Sequence, residues 1–145
     1  MSEAKEYREP LGLSRHNQVM ATWADVSRVV ATLPETAEVK PHDWRVRKKL
    51  MVWERPLRQA DLEALGDDAP TGDIIGARVA DEGVKFALIA EEPGVYFTTP
   101  HFDGYASVLV RLAEIGVPEL TEIVTDAWLV QAPKTLVKKF LNEKS

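Results

Sequence analysis

The chain has 145 residues, enough for one compact domain whose folding buries roughly two-thirds of the unfolded surface. With 45% hydrophobic and 28% charged residues and four tryptophans it has the composition of a folded protein, and with no cysteine it excludes disulfides, thiolate nucleophiles and cysteine-based zinc sites. Its net charge of −5 weakly repels nucleic acid and anionic membranes, so binding to either requires a local basic face.

No apolar run approaches the ~20 residues of a membrane span, and residues 1–11 are charged where a signal peptide would be apolar. These features, with the missing cysteines, place the protein in the cytoplasm and predict no membrane partner. Residues 1–21 lack sustained periodicity and read as a flexible extension, leaving residues 22–145 as the domain.

The first firm element follows Thr22, which with Asp25 forms a capping-box pattern. Trp23, Val26, Val29, Val30 and Leu33 recur at helical spacing until Pro34, so a helix is expected over residues 23–32. Two prolines and no periodicity make residues 34–42 a connecting loop. Trp44 and Val46, then Leu50 and Val52, alternate with polar residues on either side of Arg47, Lys48 and Lys49, which predicts an antiparallel hairpin with a basic tip. Residues 58–65 give a short helix closed by Gly66, residues 67–72 a loop, and residues 74–79 a β-branched strand. Asp81 opens a helix to Glu92 with Val84, Ala87, Leu88 and Glu91 on one side, stopped by Pro93 and Gly94.

The central stretch is YFTTPHFDGYASVLVR, residues 96–111: two strand-like runs around a Pro/Gly turn with a polar tip. Strands are expected over 96–98 and 107–112 in one antiparallel sheet. After Gly116, Pro118 suits a first helical turn, and Leu120, Ile123, Val124, Ala127 and Trp128 line one face of a helix reaching Gln131. A last helix begins at Pro133, with Leu136, Val137, Phe140 and Leu141 inward and Lys134, Lys138, Lys139 and Lys144 outward. The order predicts an α+β fold: one compact domain with an antiparallel sheet and helices packed on one face.

The run YFTTPHFDGYASVLVRL, the later DAWLVQAPKTLV and the hairpin WRVRKKLMVWER together resemble the MmcQ/YjbR-like proteins, from about Trp23 to Leu141. The resemblance implies a double-wing α+β fold and a DNA-binding module, and it supplies no catalytic residues or cofactor.

Within that frame, two sets of residues are candidates for function. Arg45, Arg47, Lys48, Lys49, Arg55 and Arg58 cluster in one segment of an acidic protein, and strand alternation puts Arg45, Arg47 and Lys49 on one face. A basic hairpin of this kind has the shape of a DNA-contacting wing, which Lys134 and Lys138 of the last helix would extend. It also has the composition of a solvated edge strand. The second set is a ligand pocket of Thr99, His101, Tyr105 and Arg111, in which Arg111 interrupts an apolar strand where a guanidinium fork can hold a phosphate or carboxylate, or pair with an acidic neighbour. His101 can serve as a base or shape its turn. His16 and His42 stand apart from it, and no spacing of histidines or carboxylates suggests a metal site. Trp128 is expected in the core.

Overall fold

The computed structural model describes residues 20–144, so of the predicted extension over residues 1–21 only Met20 and Ala21 are described, and His16 lies outside. Met20 bridges to Gly116, and the Ala21 amide donates to the Ile115 carbonyl at 2.9 Å, which brings the chain into the domain ahead of the first helix.

That helix, α1 (Trp23–Ala31), starts as its sequence dictates: the Thr22 hydroxyl accepts from the Asp25 amide while the Asp25 carboxylate accepts from the Thr22 amide. The strands are β1 (Thr36–Lys40), β2 (Asp43–Val46), β3 (Lys49–Glu54), β4 (Ile74–Arg78), β5 (Tyr96–Phe97) and β6 (Ser107–Arg111). They form one antiparallel sheet in the order β1-β2-β3-β4-β6-β5. The remaining helices are α2 (Gln59–Leu65), α3 (Glu82–Glu91), α4 (Val117–Gln131) and α5 (Lys134–Lys144), with a 3₁₀ turn at Pro100–Phe102 between β5 and β6. Among the described residues no helix is long and apolar enough to cross a membrane.

Arg47 and Lys48 turn the β2–β3 hairpin, both with positive φ (49° and 82°), as a two-residue turn matched to strand twist requires. Residues 34–42, expected as a loop, contain β1. Its partner β2 supplies the pairing, and the positive φ of Glu35 and His42 at its two ends turns the chain into and out of it.

The alternating pattern sorts side chains onto two faces. Trp44, Val46, Val52, Ile75, Ala77, Tyr96, Val108 and Val110 meet Val26, Val30, Leu120, Val124, Ala127, Trp128 and Leu136 in the main core under α1, α4 and α5. On the opposite face a smaller cluster of Ile74, Phe97, Phe102 and Leu109 packs with Trp53, Leu57 and Leu65. The principal helices therefore cover one face as expected, while α2 and the 3₁₀ turn shelter part of the other.

Two expected helix faces are corrected. In α3 the innermost residue is Lys85, which is fully buried, whereas Val84 and Phe86 are exposed. In α5 Leu141, expected inward, is 50% exposed, because Leu136, Val137 and Phe140 already fill the contact with the main core.

Trp53 and Gly76 are paired across β3 and β4, and the indole occupies the space a side chain at position 76 would need: a Cβ there would lie 2.2 Å from Trp53 Cε2. Gly76→Ala is expected to displace the indole and destabilise the fold by about 1–3 kcal/mol, read as a lower urea midpoint at unchanged slope.

Candidate functional site

The basic hairpin is less free than its composition suggests. Arg45 Nε and Nη2 donate to the two carboxylate oxygens of Asp43 at 2.7 and 3.2 Å, and Nη1 donates to the Lys48 carbonyl at 3.1 Å. Arg47 forks onto Glu35 in the same bidentate way, with Nη2 to Oε2 at 3.1 Å, and this contact holds the Glu35 carboxyl below its ordinary pKa. Lys49 pairs in register with Val46 and Arg45 with Leu50, which puts Lys49 on the helix-covered side and corrects the expectation of one shared face. Lys49 lies instead with Lys134 and Lys138 around a groove floored by Leu129, Pro133 and Val137.

Arg55 leaves the surface altogether. It is 5% exposed, forms an ion pair with buried Asp61 at 3.0 Å, donates to the Pro56 carbonyl, and places its guanidinium 5.2 Å from the Phe102 ring centre. Burial works against ionisation of Asp61, but the Arg58 amide at 2.8 Å and the Arg55 charge hold its carboxyl below the ordinary value.

The four predicted pocket residues separate. Thr99 is buried beside Asp61. Arg111 donates to the Pro93 carbonyl at 3.0 Å, lies 4.4 Å over the Phe97 ring, and borders a different depression, near Gly94 and Glu114. His101 and Tyr105 do converge, on a cleft of about 350 Å³ beside the smaller cluster, lined also by Trp53, Arg55, Arg58, Arg78 and Ser107.

Sequence reasoning did not single out Arg78. It stands at the end of β4 on the same face as Gly76, paired across the sheet with Ser107. Its Nη1 reaches the Ser107 hydroxyl at a long 3.4 Å, and its buried Nε has no hydrogen-bond partner among the described residues. The signal was the one that drew attention to Arg111: an arginine at the end of a β-branched, apolar run. Glu54, the acidic residue lining the cleft, is held by His42 at 2.8 Å, and His42 in turn stacks on Trp23 with ring centres 4.2 Å apart.

The loop carrying His101 and Tyr105 is anchored from α3. Lys85 Nζ donates to the Phe102 carbonyl at 2.8 Å and to the Tyr105 carbonyl at 3.1 Å, and the Glu82 carboxylate accepts from the Gly104 amide at 3.2 Å. His101 meets the Phe102 ring edge-on at 4.7 Å. A second depression, between α3 and α4, is acidic: it is lined by Glu91, Glu92, Glu119, Glu122 and Asp126, and there the Tyr96 hydroxyl donates to Glu119 at 2.6 Å. Burial and Glu119 push the Tyr96 pKa up. Among the described residues no cluster of histidines and carboxylates could hold a metal ion.

No family model matches the chain, and no solved structure matches it. It is 69% identical over 125 residues to the "Uncharacterized protein Rv2570" of Mycobacterium tuberculosis, an alignment covering 84% of this chain and 97% of the relative. The same figures hold for the "Uncharacterized protein Mb2600" of Mycobacterium bovis.

Proposed function

We propose for this chain, which belongs to the family of these uncharacterized mycobacterial proteins, the binding of a small anionic ligand in the cleft lined by Arg58, Arg78, Ser107, His101 and Tyr105. The observation that carries the reading is the state of Arg78. Among the described residues its buried Nε lacks a partner and its one side-chain hydrogen bond is a long one to a neutral hydroxyl, whereas Arg45 and Arg47 each hold a carboxylate through two bonds. A buried guanidinium N–H without an acceptor is costly, and an anionic oxygen relieves that cost with a charge-assisted bond. Arg58, exposed at the start of α2, adds a second positive charge at the cleft.

The test is calorimetric titration with inorganic phosphate and with small carboxylates at low salt. Arg78→Met is expected to weaken binding at least tenfold, about 1.4 kcal/mol, in keeping with loss of one hydrogen bond to a charged group. Equal affinities for wild type and variant would remove Arg78 from the site.

A second reading, a DNA-binding module of the MmcQ/YjbR-like kind, is supported by one observation: Lys49, Lys134 and Lys138 line a single groove beside the hairpin. Changing these three to alanine should lower the slope of log K against log salt by up to about 3 if each neutralises a phosphate. The expected result distinguishes the readings, since Arg78→Met leaves any such DNA affinity unchanged.

A further inference from the structure

We infer that the ligand of the Arg78 cleft is a phosphate monoester that also bears a flat aromatic ring, the chemistry of a nucleoside monophosphate. The inference rests on the reading that this cleft binds an anion, and it names the anion's class.

The polar side of the cleft offers Arg78, Arg58 and the buried Ser107 hydroxyl, a donor set better matched to the three terminal oxygens of a phosphate than to the two of a carboxylate. Ser107 accepts from Arg78, and its own proton has no acceptor among the described residues, which leaves it to donate to a ligand. The Glu54 carboxylate, which would repel a phosphate, is engaged by His42.

The other lining residues are aromatic. The Trp53 indole is fixed against the bare backbone of Gly76, and Tyr105 is 58% exposed at the rim, an uncovered aromatic surface of the kind on which a base stacks. A rim loop that merely joined two strands would need no internal anchor. This one is held by the ammonium of a fully buried lysine on the carbonyls of Phe102 and Tyr105, at the cost of burying a charge. Such an anchor fixes the rim before the ligand arrives, which reduces the ordering cost of binding. At about 350 Å³ the cleft sits at the small end of ligand sites, a size for a mononucleotide-like molecule and not for a longer strand.

The experiment is calorimetric titration of the full chain with inorganic phosphate, phenyl phosphate, adenosine 5′-monophosphate and adenosine. At least one of the two aromatic phosphates should bind about tenfold tighter than inorganic phosphate, a modest stacking contribution, while adenosine binds much more weakly than its monophosphate. Tyr105→Ala should remove at least fivefold of that gain, read as the ratio of aromatic-phosphate to inorganic-phosphate affinity; Tyr105→Phe should retain the gain. Because Tyr105 is exposed, neither change should threaten folding. Inorganic phosphate binding as tightly as both aromatic phosphates would overturn the inference and leave the anion site standing. Adenosine binding as tightly as its monophosphate would also overturn it, and failure of every phosphate to bind would overturn the anion site as well.

Discussion

Replacing Trp128 with alanine is expected to destabilise the protein by about 3–5 kcal/mol, the usual penalty for deleting a large buried aromatic. Trp128 has no exposed surface, its ring centre is 4.7 Å from that of Phe140, and its indole N–H donates to the Pro34 carbonyl at 2.9 Å. One side chain therefore ties α4 to α5 and to the turn that follows α1. Truncation would leave a cavity among three elements and an unpaired carbonyl. Trp128→Phe retains most of the apolar volume and loses the N–H, so about 1–3 kcal/mol is expected. Urea denaturation at neutral pH measures both. Wild-type stability in the alanine variant would show that the residue does not support the core.

A loss of similar size, about 3–5 kcal/mol, is expected for Asp61→Asn, because the neutral amide leaves the buried Arg55 guanidinium without its counter-charge. Arg55 and Asp61 are 5% and 3% exposed, so solvent offers little compensation for either partner. The same pair predicts a pH dependence. The folded-state pKa of Asp61 lies below its unfolded value of 3.8, so the carboxylate's contribution is fully present above that value and is lost as pH falls through the folded pKa. Urea midpoints measured from neutral pH into the acid range should therefore fall more steeply for wild type than for Asp61→Asn. Parallel curves would show that Asp61 does not drive the acid response. Removing Arg55 together with Asp61 should cost less than the sum of the two single changes, the mark of direct coupling.

What the sequence made legible, and what it hid, divides along a physical line. The inward face of α4 was readable because Leu120, Ile123, Val124, Ala127 and Trp128 keep helical spacing, and all five are buried. Thr22 and Asp25 announced the start of α1 through local chemistry alone. β1 was illegible because TAEVK is mostly exposed, so its pattern carries no hydrophobic alternation, and it is a strand because β2 pairs with it. Lys85 inverted the reading of α3, since a lysine is expected in solvent unless tertiary structure supplies acceptors, here two carbonyls from a loop well over ten residues away. The candidate site was half legible for the same reason: His101 and Tyr105 are local to one loop, while Arg78, Arg58 and Trp53 join them only through sheet register and the packing of α2.

The strand order has a consequence for the protein at high concentration. One margin of the sheet is β1, a short strand with Glu38 and Lys40 among its residues and an irregularity in its pairing between them; the other is β5, two residues long and closely followed by Pro100. A strand from another copy would meet charge and broken register on one side, and too few backbone groups on the other. The sheet thus stops at its own borders, and both margins disfavour self-association by edge-to-edge growth, the common route from a β-rich monomer to an aggregate.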